Sequence, residues 1–464
     1  MFSIELFDNS FKGTKISLTE LDEQKKQAVR KALDLINNVS LQDLEKKGVI
    51  VFPSKTIQSE LSDNKKCICS IQNLESDYPI IKTTNIMGYL SVGNEVHISI
   101  RSRFDSSKEQ FFLHYMLQKA CNVAPTIELI QSSKNPLYDF LVFLFPIYLK
   151  KAIAQGLFRT YVDRNYNDSN VRGVIDVPQF IQKNIPFNGK ITYHTREYSN
   201  NNYLTQLIRH TIEYINEDEK IKNILSNNNE TKNAVSLIRA NTLLYKTSER
   251  NIIIGKNLNP LAHPFYTEYE NLRKLCIMIL TRNKNSYSSM NNKLVNGILF
   301  DGAALWEEYL NTVFQKQSKT TGKITIEHPN NRTGKGKKYL FDDNSGIIYP
   351  DFLVRDSENN LCSILDAKYK HLENNNIGQD DYFQVLTYMF RFKAHKGILI
   401  YPNNNLDSPN STIRFLKEHK NEDAFFVYGF TIPQFKYETS YTTYCEEMKK
   451  REKEIIDFIT SLVI

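Results

Sequence analysis

The chain has 464 residues, and at roughly 100–200 residues per domain this length allows two to four domains with at least one large hydrophobic core. Hydrophobic residues make up 41% and aromatic residues 12% of the chain, against 17 glycines and 14 prolines, so the composition excludes a disordered or collagen-like protein. The net charge of +7 permits a polyanionic partner such as DNA without requiring one.

The sequence predicts no membrane span and no secretion signal. It has no run of about 18 apolar residues, which a membrane helix needs, and it does not begin with a basic segment followed by an apolar one. The six cysteines are scattered, and Cys67 and Cys69 lack the spacing of a zinc site, so reduced structural thiols are favoured over a zinc centre. We therefore expect a cytoplasmic protein without a membrane partner.

The first hundred residues predict a strand-rich α+β region with one helix. A capping-box pattern at 17–20 precedes apolar residues at helical spacing, which predicts a helix through about residue 37. The apolar runs 88–92 and 96–100 flank Gly93-Asn94-Glu95 and predict a β-hairpin. Arg101 and Arg103 follow its second strand, where a phosphate contact is conceivable and a solvated strand end is the simpler interpretation.

The middle of the chain predicts helices and paired strands. The nearly all-apolar segment 137–157 predicts a buried helix, and the runs 172–177 and 189–198 alternate like paired strands. A polar, Asn-rich segment at 283–292 predicts a surface connection. We therefore divide the chain into an N-terminal α+β region 1–160, a connecting strand and helix region 161–290, and a C-terminal domain 291–464.

The most informative segment is a predicted β-hairpin formed by the apolar runs 347–354 and 361–370. Asp351 lies on the first strand, whereas Asp366 and Lys368 lie two residues apart on the second and project from the same face. The hairpin therefore brings two carboxylates and an ammonium group together. Carboxylates hold hard divalent cations, and an ammonium group orients water or offsets charge at the reacting phosphorus, so this set fits metal-dependent phosphodiester hydrolysis.

The order Pro350-Asp351, then Asp366-Ala367-Lys368, resembles the PD-(D/E)xK nuclease motif. The string alone is weak, because Asp and Lys are common residues. Both acids lie in apolar strands, where an unpaired charge is costly, so a purely structural role would need a partner for each carboxylate.

Two flanking helices agree with this interpretation. Gln384 and Tyr388 lie four residues apart on one face of a predicted helix, which resembles the QxxxY element of RecB-type nucleases, where these residues help to place DNA and the lysine strand. Upstream, a helix beginning near Gly302 carries Glu307, which could reach a metal ion, with a solvated glutamate as the alternative. The predicted cofactor is Mg²⁺, which Mn²⁺ could replace. Its predicted ligands are the side chains of Asp351, Asp366 and Glu307, with the backbone carbonyl of Ala367 or Leu365 as a further oxygen ligand.

A basic loop precedes the first catalytic strand. It is not a nucleotide-binding P-loop, because only one residue separates Gly334 from Gly336 and neither Ser nor Thr follows the lysines. Contacts with DNA phosphates and a merely solvated loop are equal alternatives. The candidate DNA-binding residues are Arg332, Lys335, Lys337 and Lys338.

The order of these motifs resembles the McrC-like subunits of McrBC and LlaJI-type restriction systems. The resemblance covers most of the chain and rests on segments 84–90, 100–104, 172–176, 305–309, 366–369, 384–388 and 398–402 together with Asp351. It implies an α/β chain, α+β overall, whose C-terminal PD-(D/E)xK domain has a mixed sheet flanked by helices. It also implies that the N-terminal half docks on an oligomeric ring of McrB-like AAA+ GTPase subunits and stimulates their nucleotide hydrolysis.

Three functions are therefore compared. The first is a Mg²⁺-dependent DNA endonuclease subunit of a McrBC-like complex. The second is a catalytically silent activator of the GTPase ring, and the third is a stand-alone RecB-like nuclease. The intact Asp351, Asp366 and Lys368 favour the first over the second, while the third leaves the N-terminal half without a role.

Overall fold

The computed structural model describes residues 2–47, 49–52, 67–92, 96–107, 110–120, 136–219, 221–226, 228–281, 295–321, 324–329, 338–371, 377–404, 411–416, 423–435 and 440–463. The chain forms two compact units. The main unit comprises Met1–Leu137 together with Ser288–Ile464, and the inserted unit comprises Tyr138–Tyr287. Across the described ranges, no helix combines the length and the apolar character that crossing a membrane requires.

The N-terminal part of the main unit is built on a five-stranded mixed sheet in the order β1-β7-β6-β11-β3. The predicted hairpin is confirmed, because β6 and β7 pair antiparallel, with Gly88 opposite Ile100 at one end and Val92 opposite Val96 at the other. Residues 295–301, which the sequence-based division places in the C-terminal domain, instead complete this sheet between β6 and β3. The strands are β1 (Phe2–Phe7), β3 (Ile50–Phe52), β6 (Ile86–Val92), β7 (Val96–Arg101) and β11 (Val295–Asp301).

A small antiparallel sheet and two helices share one hydrophobic core with the five-stranded sheet. The first helix begins at Glu23, where the Asp22 carboxylate caps it by accepting the N–H of Lys25 at 2.8 Å. The capping box predicted at 17–20 is wrong, because residues 16 and 18 donate their backbone N–H groups to residues 79 and 77 in an extended arrangement. These elements are β2 (Thr14–Lys15), β4 (Cys69–Gln72), β5 (Ile80–Thr83), α1 (Glu23–Asp34) and α2 (Leu41–Lys47).

The inserted unit combines helices with a three-stranded antiparallel sheet in the order β8-β10-β9. The predicted pairing of 172–177 with 189–198 is confirmed for Val174 and Ile175, but the long partner of β10 is β8. The strands are β8 (Thr160–Asp168), β9 (Val174–Ile175) and β10 (Ile191–Ser199). The helices are α4 (Pro136–Ala154), which begins just before the unit, α5 (Val177–Asn184), α6 (Tyr203–Asn216), α7 (Asn229–Asn241), α8 (Arg250–Lys256) and α9 (Glu268–Thr281).

The C-terminal part of the main unit is built on a six-stranded mixed sheet in the order β12-β15-β16-β17-β19-β18. β15 and β16 form the predicted antiparallel hairpin, and β16, β17 and β19 run parallel. The strands are β12 (Thr325–Glu327), β15 (Phe352–Arg355), β16 (Leu361–Ala367), β17 (Lys396–Asn403), β18 (Ser411–Phe415) and β19 (Ala424–Thr431), and a separate pair is formed by β13 (Lys338–Tyr339) and β14 (Ile347–Ile348). The mixed α+β class is therefore confirmed.

Among the residues that the structure describes, the other helices of the main unit are α3 (Phe111–Ala120), α10 (Gly302–Thr321), α11 (Gln379–Phe392) and α12 (Tyr441–Val463). α10 begins at Gly302, as predicted, and its side chains Leu305, Tyr309 and Val313 are buried. Glu307, on the same helix between these buried positions, is half-buried.

Candidate active site

The β15–β16 hairpin brings Asp351, Asp366 and Lys368 together. Asp351 immediately precedes β15, and its Oδ2 accepts the N–H of Ala367 at 2.8 Å. Asp366 lies in β16 and is fully buried, with its Oδ2 2.9 Å from the Lys368 Nζ. The structure therefore assembles the three side chains that the spacing predicts, although Asp351 stands just before its strand.

The parallel neighbour strand fixes the position of the lysine. Asp366 and Ala367 pair with Leu399 and Ile400 of β17. The Lys368 N–H donates to the Ile400 carbonyl at 2.8 Å, so the ladder continues one residue past the end of β16. Because β16 lies between β15 and β17, this end of the strand has little freedom to move.

The site holds a surplus of negative charge. Burial raises the pKa of Asp351 well above its ordinary value, and the nearby carboxylates of Asp366 and Glu307 raise it further. Burial lowers the pKa of Lys368, but the Asp366 carboxylate beside it and the nearby Asp351 carboxylate raise it, so the pKa of Lys368 is raised overall. In the part of the chain that the structure describes, Lys368 is the only partner offered to the buried Asp366 oxygens.

Asp351 and Asp366 are the two carboxylates of the site that could serve a hard cation. Within the described ranges, no three His, Cys, Asp or Glu side chains are arranged to hold a metal ion by themselves. Mg²⁺ commonly binds through one or two carboxylates and takes its remaining oxygens from water and substrate phosphates. The poorly partnered carboxylate of Asp366 beside Asp351 fits that mode of binding.

Glu307 is turned toward a residue that the sequence does not single out. Its Oε1 lies 3.6 Å from the Nε2 of His328. The Nδ1 of His328 lies 2.8 Å from the Asp351 carbonyl oxygen, so it donates, and its ring packs on Phe352. His328 thereby links Glu307 to the backbone of Asp351. A lone histidine after a short strand belongs to no recognisable motif, and only the packing of α10 on the sheet reveals it.

Helix α11 places Gln384 and Tyr388 against the lysine, as their spacing predicts. The Gln384 Oε1 accepts a hydrogen bond from the Lys368 Nζ at 2.7 Å, and its Nε2 donates to the Tyr388 hydroxyl at 2.8 Å. The Tyr388 hydroxyl donates to the Tyr349 carbonyl at 3.1 Å. These bonds connect the lysine to the segment just before Asp351, so they hold its ammonium group within the site.

The remaining predicted residues are less closely tied to the site. Ala367 contacts Asp351 through its N–H group, and the role of its carbonyl as a metal ligand stays a prediction. Lys338, the first residue of β13, is exposed. Arg332, Lys335 and Lys337 lie outside the described residues, so the contact of this loop with DNA also stays a prediction.

Comparison with known proteins identifies one family. The family model described as the McrBC 5-methylcytosine restriction system component matches residues 81–402, a range that contains every candidate catalytic residue. No curated protein matches the chain significantly. A chain in a half-complex from a tetradecameric assembly of Thermococcus gammatolerans McrB AAA+ hexamers with bound McrC is similar at 14% identity, with 97% of this chain and 99% of that chain covered and a TM-score of 0.49. A chain of the cryo-EM Thermococcus gammatolerans McrBC complex is similar at 15% identity, with 68% of this chain and 87% of that chain covered and a TM-score of 0.32.

Proposed function

The chain belongs to the McrBC 5-methylcytosine restriction system family, and from this premise we propose that it is the McrC-like, DNA-cleaving subunit of a cytoplasmic restriction complex. The family membership expected from its motifs is confirmed. We further propose a Mg²⁺-dependent endonuclease of the PD-(D/E)xK type. The observation that carries this proposal is the meeting of Asp351, Asp366 and Lys368 at one end of the hairpin.

In the proposed reaction, Asp351 and Asp366 would hold a divalent cation, and the Ala367 carbonyl would be a further oxygen ligand. Glu307, which faces His328 in the structure, would join them when its side chain turns toward the metal. Mg²⁺ bound there would lower the pKa of water and stabilise the leaving oxygen. Lys368 orients the attacking water and offsets negative charge at the phosphorus. Water adds across the scissile P–O bond, and the leaving oxygen takes up a proton. Gln384 and Tyr388 keep the ammonium of Lys368 in place, and His328 restrains Glu307.

We expect plasmid DNA to be cut only when the chain, its AAA+ GTPase partner, GTP and Mg²⁺ are present together. Because the motor itself needs Mg²⁺, metal binding is measured separately by titrating Mn²⁺ into the isolated chain, and saturable binding is expected. Stimulated GTP hydrolysis without cutting under any metal would favour the catalytically silent activator. Cutting by the chain without any partner would favour the stand-alone nuclease.

The proposed partner is a McrB-like AAA+ GTPase oligomer, docked through region 1–160. Deleting that region is a poor test, because residues 2–137 share a compact unit with the site and β11 belongs to the N-terminal sheet. Single exposed aromatic side chains are better probes, since such residues often dominate interfaces. Phe11 is 77% exposed in the N-terminal region, and Phe187 is 67% exposed in the inserted unit.

Phe11→Ser is expected to lower GTPase stimulation at limiting concentration about tenfold, because truncating an aromatic anchor weakens association. The matched substitution Phe187→Ser should leave stimulation within about twofold of the parent, as expected for a surface change away from an interface. GTP turnover is measured against the concentration of each variant. The opposite outcome, with Phe187→Ser impaired and Phe11→Ser normal, would place docking on the inserted unit.

A further inference from the structure

Arg103, for which the sequence favours a solvated strand end, is largely enclosed, with 10% of its side chain exposed. One guanidinium nitrogen lies 3.0 Å from the Asp8 carboxylate and also donates to the Asn85 Oδ1 at 3.0 Å. The other terminal nitrogen donates to the Tyr369 carbonyl at 2.7 Å. The solvated interpretation of Arg103 is therefore wrong, and its donors are directed at protein groups.

The contact with Tyr369 reaches the strand end that carries the catalytic lysine, because Tyr369 directly follows Lys368. Three consecutive N-terminal residues fix Tyr369. The Ser102 and Tyr369 hydroxyls lie 2.8 Å apart, and the Arg103 guanidinium lies 4.9 Å from the tyrosine ring centroid. The Phe104 ring packs edge-on against the same ring at 5.1 Å. The backbone just beyond Lys368 is thus held in place by side chains that follow β7 of the N-terminal sheet.

The same arginine is also connected, through Asn85, to the helix that carries Glu307. Asn85, which accepts from Arg103 through its side chain, accepts the N–H of Gly302 through its carbonyl at 2.9 Å. Gly302 is the first residue of α10, and a Cβ added there would lie 2.7 Å from the Tyr369 ring. Asn85 and Tyr369 therefore contact both the Arg103 guanidinium and Gly302. One side chain connects the lysine strand with the Glu307 helix.

We propose that Arg103 is a positioning residue for DNA cleavage, which sets the end of the Lys368 strand relative to the Glu307 helix. This inference rests on the proposed function.

Asp8 holds both the backbone and the side chain of Arg103. Its side chain is fully buried, and its Oδ1 accepts the Arg103 backbone N–H at 2.6 Å while its Oδ2 accepts from the guanidinium, so the carboxylate fixes the plane of the guanidinium. The planar fork of arginine can serve Asp8, Asn85 and the Tyr369 carbonyl at once, whereas a lysine ammonium on its flexible stem cannot match that geometry.

The decisive variant is Arg103→Lys, since it keeps a positive charge beside buried Asp8 and so preserves the fold better than Arg103→Gln. In the full-length chain, we expect the amides of residues 368–371 to exchange with deuterium about tenfold faster or more, because a hydrogen bond to a charged group is lost. In the complex, kcat for cleavage should fall about tenfold or more, because small displacements of catalytic groups are costly. The dissociation constant for DNA and the GTPase stimulation should stay within about twofold of the parent, because the Arg103 side chain is largely enclosed and bonds groups of its own chain.

Arg101→Lys provides the matched control. Arg101 is the last residue of β7, two positions before Arg103. Its side chain is 16% exposed and pairs with Glu5 at 3.2 Å. Its replacement should therefore leave the deuterium exchange at 368–371 and the kcat for cleavage at parental values. Parental exchange and kcat in Arg103→Lys would overturn the proposal. A parallel loss of thermal stability, GTPase stimulation and kcat would also overturn it, because that pattern marks a general structural role. If the parent complex itself cuts no DNA, the proposed function fails, while the exchange comparison still decides whether Arg103 restrains the strand.

Discussion

Asp366→Asn is expected to lower the rate of plasmid cleavage at least about a hundredfold, a loss typical of removing a group that acts on the transition state. The amide keeps the size of the side chain but removes the charge that would hold the metal ion and pair with Lys368. GTPase stimulation should stay at the parental level, because the proposed docking surface is untouched. Single-turnover cleavage and GTP hydrolysis are measured on the same preparations, and Mn²⁺ binding to the isolated chain should weaken in parallel.

The stability of Asp366→Asn separates a functional carboxylate from a structural one. Asp366 is fully buried beside Asp351, and Lys368 alone partners its oxygens among the residues that the structure describes. The Asp366 charge repels that of Asp351, and without it the Lys368 ammonium keeps the nearby Asp351 carboxylate and its hydrogen bond to Gln384. We therefore expect the midpoint of thermal unfolding to be unchanged or higher in the variant. Asp457→Asn, which makes the same chemical change at an exposed position of α12, should cut DNA like the parent. Parental cleavage by Asp366→Asn would remove Asp366 from the proposed site.

Local patterns account for the parts of the site that were predictable from the sequence. Asp366 and Lys368 share a face because side chains alternate along a strand, and Gln384 and Tyr388 share one because a helix repeats every 3.6 residues. The acids are conspicuous since they interrupt apolar strands that the core requires. These rules depend on neighbouring residues alone, and the hydrogen bonds from Lys368 to Gln384 and from Gln384 to Tyr388 agree with them.

Contacts between distant segments account for the parts that were not predictable. Arg103 meets Tyr369 because β7 and the end of β16 come together in the folded unit, and no local pattern encodes that meeting. His328 acquires its position in the same way, from the packing of α10 on the sheet. The pairing of β11 with β6 and β3 joins the two chain segments of the main unit, which the inserted unit separates in sequence. Propensity and periodicity identify such strands but not their partners.

Glu452 is the clearest case of a distant contact with a large expected effect on stability. It is buried in α12 and accepts hydrogen bonds from the Tyr115 hydroxyl at 2.8 Å and the Tyr309 hydroxyl at 3.1 Å. Its other oxygen lies 2.7 Å from the Lys119 ammonium. One carboxylate therefore joins α3, α10 and α12, and α10 is the helix that carries Glu307.

Glu452→Ala is expected to lower the free energy of unfolding by about 3–5 kcal/mol, the cost of leaving a buried partner charge uncompensated. Lys119, whose side chain is 20% exposed, keeps its charge with little access to water, and both tyrosine hydroxyls lose their acceptor. Urea denaturation at neutral pH measures the difference. Glu446→Ala, at an exposed position of the same helix, should change the free energy by less than about 0.5 kcal/mol. Equal stability of the two variants would show that the helices are held by their apolar faces alone, with Glu452 contributing nothing to the placement of α10.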